Sequence, residues 1–200
     1  NLKGSATIVT GSATGLGAAV AKAAAAKGGN VVNNYTKSKT EALEIAAVCN
    51  DMGVETLLCQ ADVSLDQDCR RMVSETVAKW GRGQRFVNFR DDRTGQLDRI
   101  RGVKSSLNTK TLSLARALAP EVRVNAVCPA LFDSRWWADG LGEVPYQKLW
   151  ERFIEDVPLK AAATAESIAD TIVWLLESAG YITGETLMID SGMHLLGFQP

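Results

Sequence analysis

The sequence predicts an α/β protein in which a parallel sheet is flanked by helices, and three observations carry that prediction. A β-branched run enters a glycine-rich turn and then an alanine-rich helix within the first 26 residues. Strand-like and helix-like stretches then alternate at the spacing of βαβ units. The chain has 200 residues, 46% of them hydrophobic, which is enough for one core with no metal or disulfide staple.

The elements follow in order. Ala6-Thr7-Ile8-Val9-Thr10 is the first strand, and the helix begins near Gly15. Val31-Val32 marks a second strand, Lys39 to Met52 an amphipathic helix, and Val54 to Cys59 a third strand. Ala61-Asp62-Val63-Ser64 is a loop, and Asp66 to Trp80 carries Cys69, Met72, Val73 and Val77 at helical spacing. A short strand is expected over Arg85 to Asn88. Leu107 to Leu118 reads as a helix with Leu107, Thr111, Leu114 and Leu118 on one stripe, and Val122 to Val127 as a strand stopped by Pro129. Ser134 to Gly142 is an exposed loop holding Trp136 and Trp137, followed by a helix around Gln147 to Asp156. Thr164 caps a helix containing Ile168, Ile172, Val173 and Leu176, and Thr186 to Asp190 is the last strand. The whole is a Rossmann-type doubly wound sheet in a single domain over 1–200.

One stretch breaks the rhythm. Between Phe89 and Lys104 eight of sixteen residues are charged, against 22% for the chain, and neither a strand nor a helix face survives there. It is either a solvated loop or a place, around 83–104, where the fold's usual chain is incomplete.

Chemistry enters at Thr10-Gly11-Ser12-Ala13-Thr14-Gly15-Leu16-Gly17. Gly11 permits the tight turn, Gly15 lets backbone approach a pyrophosphate, and Gly17 lets the helix pack closely, with the phosphates at the helix N-terminus where free N–H groups and the dipole favour negative charge. Seven alanines among residues 18 to 26 suit that close approach. About 20 residues on, an NAD site would place an acid for the ribose; here stand Asn33-Asn34-Tyr35-Thr36-Lys37-Ser38-Lys39. Hydroxyls and lysines welcome a 2′-phosphate, so NADP(H) is favoured over NAD(H).

Composition excludes other classes. A net charge of −1 and a pI near 5.9 leave no broad positive field for nucleic acid or anionic lipid. Cys49, Cys59, Cys69 and Cys128 form no CxxC pair, and His194 is the single histidine, so neither a zinc site nor a Ser-His-Asp triad is expected. No signal-like segment and no apolar run of ~18 residues is present, and a cytoplasmic, reduced protein is expected.

The glycine turn, Ala61-Asp62-Val63-Ser64, Arg123-Val124-Asn125-Ala126-Val127-Cys128-Pro129, and Ile182-Thr183-Gly184-Glu185 running to Asp190-Ser191-Gly192 occur in the order found in the short-chain dehydrogenase/reductase family. The chain resembles that family over residues 1 to about 82 and about 104 to 195, most of all its 3-oxoacyl-(acyl-carrier-protein) reductase-like carbonyl reductases. The resemblance implies that Asp62 and Val63 hold the adenine and that Asn88 opens the family's Asn-Asn-Ala-Gly turn. It implies that Lys104 is the active-site lysine, binding nicotinamide ribose and lowering the pKa of a proton-donating tyrosine. Pro129, Ala130, Leu131 and Ser134 would lie in the segment against the nicotinamide amide, and about 132–158 would be a substrate lid. It also implies a homo-oligomer, a tetramer or a dimer.

Departures accompany these matches. Ile100 stands where the family has its tyrosine, Phe89 to Val103 contains no serine, Phe89-Arg90-Asp91 replaces Asn-Ala-Gly, and Ala130 replaces a glycine. Between Asn88 and Lys104 there is no room for the helix and strand the family places there. Tyr35 and Lys39 reproduce a Tyr-x-x-x-Lys spacing, but at the adenosine end of the site, and His194 reads as a surface residue. Three functions stay open: an NADP(H)-dependent oxidoreductase interconverting a carbonyl and a secondary alcohol, a nucleotide-binding pseudoenzyme or structural protein without the tyrosine and serine, or an α/β interaction module with no ligand.

Overall fold

The computed structural model describes residues 1–81, 85–87, 109–133, 140 and 142–196. The chain divides into two compact units, Asn1–Arg90 with Ala169–Ser178, and Asp91–Ile168 with Ala179–Pro200.

In the first unit β1 (Ala6–Val9), α1 (Gly15–Ala26), β2 (Asn30–Tyr35), α2 (Lys39–Asp51), β3 (Thr56–Gln60), α3 (Asp66–Trp80) and β4 (Arg85–Val87) alternate as the sequence requires. The strands form one parallel sheet in the order β3-β2-β1-β4. Val9 lies beside Asn33 and Asn33 beside Leu58, so paired residues share a face. Ile8, Val32 and Cys59 meet Met72 of α3 and Ala61, with Leu57 and Trp80 at the margin. On the opposite face Tyr35 packs with Ala13, Ala42 and Leu58. The buried face of α3 is Met72 and Thr76. Of the expected stripe of Cys69, Met72, Val73 and Val77, Met72 is buried in the hollow over β1 and β2, while Val73 and Val77 lie further round the helix and are exposed.

β2 is longer than the Val31-Val32 pair and carries two buried asparagines with opposite fates. Asn34 makes several hydrogen bonds, whereas the Asn33 amide and the Thr7 hydroxyl are buried with no hydrogen-bond partner among the described residues.

The second unit holds a helix over residues 109–118 (α4), β5 (Ala126–Pro129), α5 (Glu143–Asp156) and β6 (Thr186–Ile189), and β5 pairs in parallel with β6. The helix α6 (Ala165–Glu177) begins here. Thr164 caps it as expected: Ser167 N–H donates to Thr164 Oγ1 at 3.1 Å and Thr164 N–H to Ser167 Oγ at 3.0 Å, a reciprocal cap. Thr111 and Ala115 form the buried face of α4, while Leu114 and Leu118 of the expected stripe are exposed.

The strand expected over Val122 to Val127 is displaced to Ala126–Pro129. Beside one backbone bond, Gly184 N–H to Val124 O at 2.7 Å, side chains carry the pairing before it: Arg123 Nη1 donates to Ala179 O at 2.7 Å, Asn125 Nδ2 to Ile182 O at 3.0 Å, and Asn125 Oδ1 accepts from Glu185 N–H at 3.0 Å. Pro129 ends the strand rather than stopping it short, since a terminal position demands no N–H from it. α5 starts one turn before the expected Gln147, with Pro145 in its first turn, where a missing N–H costs nothing.

All four cysteines are free thiols, and burial pushes Cys49 up to about 11. The buried Asp190 accepts hydrogen bonds from Gly192 N–H at 3.1 Å and His194 N–H at 2.9 Å, and His194 Nδ1 lies 2.9 Å from both its carboxylate oxygens. Burial alone would push this carboxyl up; the hydrogen bonds outweigh it and leave the group below its ordinary 3.8.

Two predictions follow from these buried polar groups. Asn33→Val removes an unpaired amide from between Val9 and Leu58 and is expected to stabilise by about 1 kcal/mol, read as a higher urea midpoint. Because the folded-state pKa of Asp190 is depressed, its contribution is complete above the unfolded value and is lost as pH falls through the folded one. Asp190→Asn should therefore lower the melting temperature at pH 7, and the difference from wild type should close on acidification below about pH 4.

Candidate functional site

The glycine turn leaves β1 at Val9 and re-enters regular structure at Gly15. Gly11 and Gly15 have φ of +61° and +54°, where an L side chain is strained, and a Cβ on either would meet open space. Gly17 is constrained differently: a Cβ there would lie 2.3 Å from Gly11 O and 2.8 Å from Gly11 C. The helix therefore packs closely on the turn itself. Gly15, Leu16 and Gly17, in the first turn of α1, have N–H groups with no intrahelical acceptor, and none donates to another described residue.

The turn is bolted to the sheet by Asn34. Gly11 N–H donates to Asn34 Oδ1 at 3.1 Å and Ser12 N–H to Asn34 O at 3.0 Å, while Asn34 Nδ2 donates to Cys59 O at 3.2 Å and Ala61 O at 3.0 Å. Among the residues expected to hold the cofactor, Ser12, Ala13 and Tyr35 turn their side chains inward. Gly11, Thr14, Gly15 and Leu16 reach the surface wholly or in part. What the inward residues offer a ligand is backbone.

At the ends of β2 and β3 a pocket of about 300 Å³ is lined by Thr36, Gln60, Ala61, Asp62, Asp68 and Arg71. Its acids are already engaged. Asp62 accepts from Ser64 N–H at 2.9 Å and Ser64 Oγ at 2.7 Å, which hold its carboxyl below the ordinary range. Asp68 accepts from Asp62 N–H at 2.8 Å and from Arg71 Nη2 at 3.2 Å and is lowered likewise. Arg71 also donates to Gln60 O at 2.6 Å and to Glu75 Oε1 at 3.2 Å. Thr36 and Lys37 are exposed, Ser38 is half-buried, and no ion pair to a described residue involves Lys37 or Lys39. Val63 stands exposed beside Asp62.

Sequence reasoning missed Asn34, Gln60, Asp68 and Arg71. A polar residue inside a β-branched run was the signal for Asn34, and the i, i+3 spacing was the signal for Asp68 with Arg71.

In the second unit, Pro129 closes β5 and Ala130 N–H donates to Ile189 O at 3.0 Å. Leu131 is buried with Phe153 and Val157, and Tyr146 and Trp150 pack against them with ring centroids 5.9 Å apart. The Leu131 side chain is thus core beneath α5. Burial first and Asp133 second push the Tyr146 hydroxyl above its ordinary value. Asn88, Lys104 and Ser134 lie outside the described residues, as do Ile100 and the Trp136-Trp137 pair.

With this geometry in view, the family models are specific. The one described as short chain dehydrogenase matches residues 5–88, and the one described as enoyl-(acyl carrier protein) reductase matches residues 95–194. The chain belongs to the short-chain dehydrogenase/reductase family, a family of NAD(P)-binding oxidoreductases.

Among its relatives, 3beta-hydroxysteroid dehydrogenase 1 of Eggerthella lenta is 29% identical over 258 aligned positions, covering 100% of this chain and 97% of that protein. The 3-oxoacyl-(acyl-carrier-protein) reductase FabG of Staphylococcus epidermidis is 25% identical over 244 positions, covering 94% and 98%. A short chain dehydrogenase from Burkholderia cenocepacia, solved in complex with NADP, superposes with a TM-score of 0.78 at 24% identity, covering 96% of this chain and 98% of its own. The 258 positions of the first alignment outnumber the 200 residues of this chain by 58, so at least that many face a gap in it. The two family models leave residues 89–94 between them, inside the charged stretch.

Replacing Gly17 by Ala is expected to cost about 2–3 kcal/mol, since its methyl meets backbone that cannot move aside. Urea unfolding reads it as a lower midpoint.

Proposed function

We propose that the chain carries the nucleotide site of an NADP(H)-dependent oxidoreductase that interconverts a carbonyl and a secondary alcohol, of the ketone or 3-oxoacyl-thioester type. The observation that carries the cofactor choice is the end of β2, where Thr36 and Lys37 are exposed and no carboxylate from Tyr35 to Lys39 awaits a ribose hydroxyl. The free N–H groups at the start of α1 fit the pyrophosphate, and the pocket beside Asp62 and Val63 fits the adenine. The bound cofactor would supply or accept hydride; the chain's residues bind and orient it. The named activities of the hydroxysteroid dehydrogenase and FabG relatives support a carbonyl or alcohol substrate. Residues 1–200 act as one NAD(P)-binding domain in this reading, with α5 in a lid over about 132–158 and the working form a homo-oligomer in the cytoplasm.

Lys104 is the catalytic residue this reading assigns, by its match to the family's active-site lysine, and the same match assigns Asn88, Pro129, Ala130 and Ser134 to binding the nicotinamide. A proton donor is the missing part, because Ile100 occupies the tyrosine position. Loss of such a donor costs about 2–4 orders of magnitude in rate. The gap of at least 58 positions against the hydroxysteroid dehydrogenase favours a second reading, a nucleotide-binding protein without turnover.

The intact mass of the purified protein, followed by NADPH turnover with ketones and 3-oxoacyl thioesters, separates the two. A mass several kDa above 21.5 kDa with turnover supports the oxidoreductase, and 21.5 kDa with binding alone supports the second reading. For the cofactor choice, Lys37→Glu is expected to weaken NADPH binding by about tenfold or more and NADH binding far less, since only the 2′-phosphate loses a charge-assisted partner. Fluorescence titration with both nucleotides checks it.

A further inference from the structure

We propose that Asn34 is the positioning residue of the nucleotide site: its side-chain amide turns the Gly11 N–H inward, beside the Ser12 N–H held by its backbone carbonyl, and ties the turn to the end of β3, and so fixes which N–H groups remain for the pyrophosphate. The proposal rests on the nucleotide reading above.

Asn34 is 3% exposed and forms part of β2, paired with Cys59. Its side chain joins three stretches of chain that no single ladder connects. Oδ1 accepts from Gly11 N–H, and the two hydrogens of Nδ2 go to Cys59 O and Ala61 O. Its own carbonyl accepts from Ser12 N–H. The amides of Gly11 and Ser12 are thereby consumed inside the fold, and those of Gly15, Leu16 and Gly17 are left as the free donors. The link to Ala61 holds the start of the Asp62 loop in the same frame, since Ala61 N–H also donates to Tyr35 O at 3.0 Å. One side chain thus sets the spacing between the phosphate end and the adenine end.

Asparagine has the chemistry the place demands. It offers one acceptor toward Gly11 and two donors toward the carbonyls. Aspartate keeps the shape but presents an acceptor to two acceptors, and the serine hydroxyl is one atom too short to take over the bonds to Gly11, Cys59 and Ala61. Displacing a binding loop by about 1 Å is enough to cost a large share of affinity or rate.

The test compares the full-length wild type with Asn34→Asp and with Ile8→Val, a core variant on a different residue that lowers stability without touching the turn. NADP⁺ affinity is read by calorimetry at pH 8, and amide hydrogen exchange at Gly11 and Ser12 is read in the absence of nucleotide. The expected result is an NADP⁺ affinity about tenfold or more lower in Asn34→Asp and unchanged in Ile8→Val, with Gly11, whose N–H bonds to the side chain, exchanging about tenfold faster only in Asn34→Asp, and Ser12, held by the backbone carbonyl, changing less. Asn34→Ser is read in the same way should Asn34→Asp not fold. An Asn34 variant that binds NADP⁺ as tightly as wild type, or whose Gly11 amide exchanges at the wild-type rate, overturns the proposal. A wild type that does not bind NADP⁺ overturns the nucleotide reading itself, and exchange at the two amides then reports separately whether Asn34 holds the turn.

Discussion

The approach of α1 to the Gly11 carbonyl is the constraint on which the first unit depends. Only a residue without Cβ at position 17 lets the first helical turn sit against the Gly11-Ser12 backbone, where a methyl would come within 2.3 Å of Gly11 O. That approach sets where α1 begins, and hence where its unsatisfied N–H groups lie. It also brings the alanine face of α1 to the sheet, so that Ala18, Ala21, Ala24 and Ala25 are buried against it. Larger side chains on this face would hold the helix off and open the turn.

Around this contact the C-terminal ends of the strands divide the work electrostatically. Asp62 and Asp68 are engaged by Ser64, by the Asp62 amide and by Arg71, so the acids nearest the pocket are already held by donors inside the protein. The mobile charges left at the end of β2 are the ammonium groups of Lys37 and Lys39, each free of an ion pair to a described residue. An anion arriving there meets donors at the α1 N-terminus and cations at the strand end.

The relation to the family has its own physical meaning. The alignment with the hydroxysteroid dehydrogenase runs over 58 more positions than the 200 residues of this chain. The family match is divided at residues 89–94, next to β4 and within the charged run. The glycine turn stands before the break, and Lys104 stands after it.

Local chemistry made much of this legible from the sequence alone. A strand running into spaced glycines and then alanines admits few structures, because the dihedral needs of Gly11 and Gly15 and the helix propensity of the alanines act within one turn of chain. The alternation of elements, the Thr164 cap and the acid-free end of β2 were readable for the same reason. Tertiary structure decided what depends on contacts between distant segments. It showed Asn34 bonding to Gly11, Cys59 and Ala61, 23 to 27 residues away. It moved the fifth strand to Ala126–Pro129, because Arg123 and Asn125 bond to the segment 56 to 60 residues on. It also chose Met72 over Val73 for the interior. Periodicity names an apolar stripe, but only the facing surface determines which residue of that stripe is buried, and that surface is built from residues far along the chain.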